Sequence, residues 1–365
     1  MDYVQRALAL ARQAGRVSPQ PAVGAVLVRG DQVAGEGFTQ PPGGPHAEVV
    51  ALERAGEAAR GATLYVSLEP CCHQGRTPPC TRAIVAAGVA AAHFPILDPD
   101  PHVQGRGRED LVAAGIAVHV GEGEEEARRL YEAYIKHRTT GLPFVIAKFA
   151  ASLDGRIAAP SGESRWISGP EAREWAHGLR AEVDAILCGS NTIVVDDPQL
   201  TARAGGQEAA QQPLRVVADS RGRTPAGARV LQGPGRTLIA TSDRSRPVWR
   251  VAMEAAMAEV LVLPRRGDSL DLGALLQALG QRDVLSLLVE GGGVIIGALF
   301  DQGLVDKVHV IIAPMIVGAS DAPAAVAGVG ARRLAEAWRL REAVVERLGE
   351  DVLITGYPER TNEGS

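Results

Sequence analysis

The chain has 365 residues, enough for two domains that each bury a core of their own. Its 46% hydrophobic and 22% charged residues are those of a soluble globular protein, and a net charge of -5 offers no basic field to nucleic acid. No apolar run reaches the roughly 20 residues of a membrane helix, and four cysteines do not make a disulfide scaffold. The expectation is a cytoplasmic protein with no nucleic-acid or membrane partner and with reduced thiols free to bind metal.

The opening MDYVQRALALARQAGR, acidic at Asp2, predicts an amphipathic helix ending near Gly15, with no cleavable apolar core. VGAVLV from Val23 and TLYVSL from Thr63 predict strands, with a helix beginning near His46 between them. CTRAIVAAG predicts another helix with Gly88 at its C-terminal end, and IAVHV closes the first part. After the helical EEEARRLYEAYIKHRTTG, the Gly and Pro at 141–143 punctuate the chain. That places domains at 1–142 and 143–358 and a flexible tail at 359–365. In the second domain strands are expected near Val145, Ala185, Leu214, Thr237, Val260, Val284 and Val308, with AGGQEAAQQP from Ala204 as a surface loop. Strands alternating with helices predict α/β layering on mainly parallel sheets.

Three residues carry metal chemistry. His46 and Cys80 open predicted helices and Cys71 follows a predicted strand. One imidazole and two thiolates suit a hydrolytic zinc site, which keeps its fourth position for water. Helix N-termini favour the thiolate form. Glu48, two residues from His46, is off the ligand face of its helix. Its carboxylate can still take a proton from water at that fourth position and return one to a departing nitrogen. A structural site completed by Cys72 or His73 is the alternative at this point. Cys188, inside DAILCG, reads as packing.

In the second domain, VLSLLVEGGGVIIGALF places three glycines between a strand and a helix, where backbone N–H groups can approach a phosphate. Arg180 and Arg203 are guanidinium candidates for a substrate phosphate. Ser168 and Glu171, with Pro170 between them, predict a capping-box helix start, and Asp154-Gly155 reads equally as a turn.

PHAE followed by LEPCCHQGRTPPC, then SLDGRIA, SGESRWISG, DDPQLTAR and VEGGG in order, resembles the bifunctional deaminase–reductase family of riboflavin biosynthesis along nearly the whole chain. The nine-residue step from Cys71 to Cys80 matches that family and departs from the Cys-x-x-Cys of cytidine and tRNA-adenosine deaminases. The resemblance implies an N-terminal cytidine-deaminase-like three-layer α/β domain and a C-terminal dihydrofolate-reductase-like α/β domain. It implies zinc on His46, Cys71 and Cys80, with Glu48 as proton shuttle, in a zinc-dependent pyrimidine deaminase. The implied deamination substrate is 2,5-diamino-6-(5-phosphoribosylamino)pyrimidin-4-one. NADPH would then reduce the ribosyl group of 5-amino-6-(5-phosphoribosylamino)uracil to ribityl.

By the same resemblance NADPH contacts fall on Ala151, Trp166, Thr192, Asp196, Ser220, Gly292 and Gly293. Substrate contacts fall on Ser164, Arg180, Leu200, Arg203 and Glu290. Lys148 and Asp196 are both catalytic candidates, either able to give the proton. The partners implied are small pyrimidine ribonucleotides and further copies of the chain, in a homodimer or higher homo-oligomer. Gln20, Thr39 and Asp100 depart from the family's usual asparagine, histidine and asparagine in the deaminase cradle. Met315 and Ala319 depart from its usual lysine and glycine near the cofactor.

Overall fold

Period-two burial in a single strand sets the layering of the first domain. In β1 (Gly24–Arg29), Val26 and Val28 face a helix, α1 (Tyr3–Gln13), and pack with Ala7. Ala25 and Leu27 point to the opposite face and pack with Ala47 and Ala51. The computed structural model describes residues 2–75 and 77–360, which fall into two compact units, Met1–Leu142 and Pro143–Ser365.

The first unit continues with β2 (Gln32–Phe38), α2 (Ala47–Ala55), β3 (Thr63–Val66), α3 (Cys80–Ala86), β4 (Ala91–Phe94), α4 (Arg106–Ala113), β5 (Ala117–Val120), α5 (Glu124–Leu130) and α6 (Glu132–Thr140). Its five-stranded sheet runs β2-β1-β3-β4-β5. The hairpin side is antiparallel, while β3, β4 and β5 run parallel. This is the three-layer expectation. Strands β2 and β4 were not among the expected elements. Gly35 and Gly37 make β2 read as loop, yet they are what let α2 lie against it: a Cβ on Gly37 would sit 2.7 Å from Val50 Cβ and 2.8 Å from Ala51 N.

The second unit comprises β6 (Phe144–Ser152), α7 (Pro170–Glu182), β7 (Ala185–Gly189), α8 (Ser190–Asp196), a small hairpin of β8 (Arg203–Ala204) and β9 (Gln207–Glu208), and β10 (Leu214–Ala218). There follow β11 (Thr237–Thr241), α9 (Pro247–Ala255), β12 (Glu259–Val262), a second small hairpin of β13 (Arg265–Arg266) and β14 (Ser269–Leu270), α10 (Leu272–Gly280), β15 (Ser286–Val289), α11 (Gly293–Asp301), β16 (Lys307–Ala313), β17 (Trp338–Leu348) and β18 (Asp351–Arg360). The nine-stranded sheet has the order β12-β11-β10-β7-β15-β6-β16-β18-β17. It is parallel from β12 through β16 and ends in an antiparallel pair. The near-continuous burial of β7, β11 and β15 is what strands covered on both faces require.

β17 is the outermost strand. It is exposed along nearly its whole length, and its register with β18 shifts between Arg341 and Val344, where Glu342 takes a φ of 50°. β18 runs through Glu359 and Arg360. The remainder of the expected tail, 361–365, lies outside the described residues.

One expectation is corrected. The helix following RWISG is not capped by Ser168; its N-cap is Gly169, with Pro170 at the first helical position. The Gly169 N–H donates to Asp351 Oδ2 at 2.7 Å, so a carboxylate from the start of β18 replaces the predicted capping box. Asp154 does serve as a turn residue. It accepts from Ser152 Oγ (2.6 Å) and from the backbone N–H groups of Val317 (3.0 Å) and Gly318 (2.8 Å).

Candidate active sites

In the first unit two helix starts and one strand exit converge. His46 is the N-cap of α2, Cys80 is the first residue of α3, and Cys71 follows β3. His46 Nδ1 lies 3.6 Å from Cys71 Sγ and 3.3 Å from Cys80 Sγ. Ligands at tetrahedral angles, about 2.0–2.3 Å from zinc, are spaced about 3.5 Å apart, so these three atoms already stand where the ion would need them. The other ring nitrogen, Nε2, lies 3.1 Å from Thr77 Oγ1; with the ring proton on Nε2 and that hydroxyl accepting it, Nδ1 keeps its lone pair toward the sulfurs, as a zinc ligand needs. The Cys80 backbone N–H donates to Cys71 Sγ at 3.3 Å. The Cys80 thiol, the His46 ring and that N–H together draw the Cys71 thiol down to about 4 against its burial.

Among the described residues, His46, Cys71 and Cys80 form a three-member ligand group, and no fourth protein ligand joins them. Cys72 Sγ turns instead to the His102 carbonyl (3.7 Å), and the His73 ring lies beside that of His102. Glu48 sits at the ligand group, 3% exposed, its carboxyl pushed up to about 7 mainly by burial and then by the Cys71 charge.

The three departures around this group have distinct surroundings. Thr39 is buried, and its hydroxyl accepts from the Val23 N–H at 2.9 Å. Gln20 Oε1 is buried with no hydrogen-bond partner among the described residues. Asp100 accepts from the His102 backbone and ring, both at 2.9 Å, and faces Arg138 Nε at 3.6 Å. Arg138 also donates to the Pro19 carbonyl at 2.9 Å, tying the Gln20 and Asp100 loops together through α6. Nothing in the sequence marked Arg138, Thr77 or Glu69 for these tasks. Glu69 is buried and accepts backbone N–H groups of Asp98 (2.9 Å), Gly105 (2.9 Å) and Arg108 (2.8 Å), pinning the loop after β4. Thr77 and Glu69 both lie inside the cysteine motif, so their position was the one available signal.

In the second unit a cleft of about 940 Å³ opens at the carboxyl ends of the parallel strands, the size of a cofactor site. Lys148, Ser164, Arg180, Thr192, Asp196, Leu200, Ser220, Glu290, Gly292 and Gly293 line it. Ala151 is buried in β6 and Arg203 is exposed in β8; neither lines the cleft. Trp166 is 66% exposed, with Arg173 stacked 4.4 Å from its ring centre.

The glycine turn is built for close approach. Gly292 is the N-cap of α11 and donates its N–H to Thr192 Oγ1 at 3.2 Å. A Cβ on Gly291 would sit 2.7 Å from Ile295 Cγ2, and one on Gly293 would run into the Ala324 carbonyl. A dinucleotide pyrophosphate fits such a neutral cradle of N–H groups at a helix start.

Beside the turn, Arg180 grips both carboxylate oxygens of Glu290, and its Nη1 donates to the Thr201 carbonyl at 3.2 Å. Burial pushes Glu290 up, but the Arg180 and Lys148 charges outweigh it and hold the carboxyl down to about 2. Burial lowers the Lys148 ammonium, opposed by Glu290. Asp196 Oδ1 accepts from Ser164 Oγ at 2.9 Å. Leu200 holds a φ of 54° while buried, a strained backbone at the cleft wall. Cys188, its thiol pushed up to about 12 by burial, is a packing residue.

The two units match two family models: the cytidine and deoxycytidylate deaminase zinc-binding region over residues 1–95, and the RibD C-terminal domain over residues 143–354. The riboflavin biosynthesis protein RibD of Escherichia coli (strain K12) is 42% identical over 364 residues, covering 96% of this chain and 97% of its own. The chain belongs to the RibD family. RibD of Acinetobacter baumannii, form 1, has a TM-score of 0.88 at 37% identity, each chain covered to 98%. A Thermotoga maritima structure described as a diaminohydroxyphosphoribosylaminopyrimidine deaminase/5-amino-6-(5-phosphoribosylamino)uracil reductase has a TM-score of 0.83 at 33% identity over 98% of each chain. RibD membership makes the chain a bifunctional deaminase and reductase of riboflavin biosynthesis, with a cytidine-deaminase-like first unit that binds zinc and a second unit of the RibD C-terminal reductase type. No helix of the described residues is long and apolar enough to cross a membrane.

Proposed function

We propose that the first unit deaminates 2,5-diamino-6-(5-phosphoribosylamino)pyrimidin-4-one, and that the second reduces the ribosyl group of the resulting 5-amino-6-(5-phosphoribosylamino)uracil. The single observation that carries the deaminase reading is a ligand group of three, with a buried glutamate beside it and no fourth ligand. Zinc held by His46, Cys71 and Cys80 would act as a Lewis acid that makes water nucleophilic at neutral pH. Glu48 takes the proton that the attacking water gives up and passes it to the exocyclic nitrogen, which leaves as ammonia. Thr77, 3.1 Å from Nε2, would hold His46 in the tautomer that presents Nδ1 by accepting the Nε2 proton. Gln20, with its unpartnered Oε1, supplies an acceptor for an N–H of the pyrimidine.

NADPH held in the cleft of the second unit would supply the hydride for C1 of the opened ribosyl chain. Gly292 and Gly293 receive the pyrophosphate and Thr192 fixes their turn. Glu290 accepts from substrate hydroxyls. Lys148, its ammonium made more acidic by burial, gives the proton, and Asp196 with Ser164 orients the sugar. The protein works in the cytoplasm as a homodimer or higher homo-oligomer.

The test is ammonia release from the diaminopyrimidinone by zinc-loaded protein without NADPH, beside Glu48→Gln. A fall of about 10²- to 10⁴-fold with unchanged zinc content supports the reading; a variant that still releases ammonia at the parent rate refutes it. NADPH oxidation with the uracil compound, in Lys148→Met beside Asp196→Asn, tests the proton donor. The larger loss of kcat belongs to the donor.

A further inference from the structure

We propose that Arg138 is a positioning residue of the deamination, which from α6 holds the Gln20 amide oxygen in place for the pyrimidine. This rests on the reading of Gln20 as the acceptor for a pyrimidine N–H. The match to the deaminase zinc-binding region ends at residue 95, and α6 lies beyond it. Tyr131, the N-cap of α6, and Tyr134 and Arg138 within it stand at i, i+3 and i+7, a spacing that sets them along one face. All three reach the loops around the ligand group.

Two of them hold the segment that carries Gln20. Arg138 Nη2 donates to the Pro19 carbonyl at 2.9 Å and the Tyr131 hydroxyl to the Ala22 carbonyl at 3.0 Å. The Tyr131 hydroxyl also lies 2.6 Å from Ser67 Oγ, which accepts from the Gly24 N–H at 2.9 Å. The Gln20 N–H itself donates to the Val17 carbonyl at 3.2 Å. The backbone is thus held on both sides of Gln20. Two contacts hold the loop after β4. The Tyr134 hydroxyl donates to Asp98 Oδ1 at 3.1 Å, and Arg138 Nε faces Asp100 Oδ2 at 3.6 Å. The Asp100 N–H in turn donates to Asp98 Oδ1 at 2.8 Å. The Arg138 guanidinium lies 5.2 Å from the centre of the Tyr134 ring, so the two side chains brace one another.

This frame accounts for the unpaired Gln20 Oε1. A buried amide oxygen without a partner costs stability, and a free loop would turn it toward a donor. Ties at Pro19 and Ala22 keep the segment from making that turn. Gln20 so keeps an acceptor open for the substrate, with the ordering cost met in folding rather than in binding. Arg138 is the member of the face that touches both loops, through Nη2 to Pro19 and Nε to Asp100. The fork of a guanidinium suits two such partners, whereas an ammonium offers a single point charge.

The experiment measures KM and kcat for ammonia release from the diaminopyrimidinone by full-length zinc-loaded protein without NADPH. The proteins are the parent, Gln20→Ala, Arg138→Met, Arg138→Lys and each Arg138 variant combined with Gln20→Ala. A contact made alike in ground and transition states raises KM when lost and leaves kcat near the parent value. Arg138→Met should raise KM by about 5- to 30-fold with full zinc content, while NADPH oxidation with the uracil compound keeps the parent rate. Arg138→Lys should lie between the parent and Arg138→Met. In the Gln20→Ala background neither change should raise KM further, because the group that Arg138 positions is gone. An Arg138→Met protein with the parent KM overturns the proposal, as does one whose effect is the same with and without Gln20; both leave the deaminase reading standing. Should Arg138→Met lose its zinc, Arg138→Lys carries the same comparison. A parent that releases no ammonia removes the deaminase reading and the proposal together.

Discussion

Glu290 concentrates the residue-scale physics of the reductase unit. Its ordinary carboxyl value is 4.5, and the folded protein holds it at about 2. A depressed acid contributes stability that is fully present above its unfolded value and is lost as pH falls through the folded one. The reductase unit should therefore lose this contribution between about pH 4.5 and pH 2, as followed by denaturant melts across that window. Glu290→Gln should flatten the window. It also leaves Arg180 buried without its countercharge, a loss of about 3–5 kcal/mol at pH 7. A variant as stable as the parent at pH 7 would show that solvent already satisfies Arg180. At this scale the metal ligands were legible in the sequence, because a zinc ion demands particular side chains and the spacing around Cys71 and Cys80 is compact. The Arg180–Glu290 pair was not, since its members lie 110 residues apart and each had been read for a separate contact with substrate.

Among the elements, those hardest to read were the ones whose residues obey a neighbour rather than their own propensity. β2 carries Gly35 and Gly37 because α2 crosses it at backbone distance. Gly37→Ala should force β2 and α2 apart and destabilise the deaminase unit by about 2 kcal/mol or more, with weakened zinc retention, since His46 caps α2. Thermal melts and metal content would check this, and an unperturbed melt would contradict the packing. The start of α7 was misplaced by one residue for a similar reason. Its cap comes from Asp351, 182 residues further on, which no local pattern announces. By contrast β1, β7 and β15 were readable as strands, because burial on both faces demands apolar residues throughout.

For the whole molecule, the two units answer to different ligands. Chelation should lower the unfolding temperature of the deaminase unit alone, because three ligands lose the ion that ties two helix starts to a strand exit. NADP⁺ at 100 times its Kd should stabilise the reductase unit alone, by about 2.7 kcal/mol. Scanning calorimetry with each addition distinguishes these outcomes, and a chelator that moves both transitions equally would contradict them.

Acid and base act differently as well. Burial pushes the Asp98 carboxyl up to about 7, so the folded deaminase unit binds a proton that the unfolded chain has released. Its stability should fall as pH rises from about 4 to about 7, the reverse of the Glu290 effect and in a different window. Glu48, also pushed up to about 7 by burial, adds to the same slope, so Asp98→Asn should reduce it and leave the Glu48 share.

A further consequence belongs to β17. An eleven-residue strand at the margin of a sheet presents its unmatched amides and carbonyls as an adhesive hem, open to any extended peptide that drifts past. Here the hem is broken by the kink at Glu342 and fenced by Arg339, Arg341, Glu346 and Arg347, charges of both signs that a flat incoming strand would have to strip of water. Growth of the sheet thus stops at its ninth strand by the chemistry of that strand, and a crowded solution of the protein gains no foothold there for stacking molecule upon molecule into fibres.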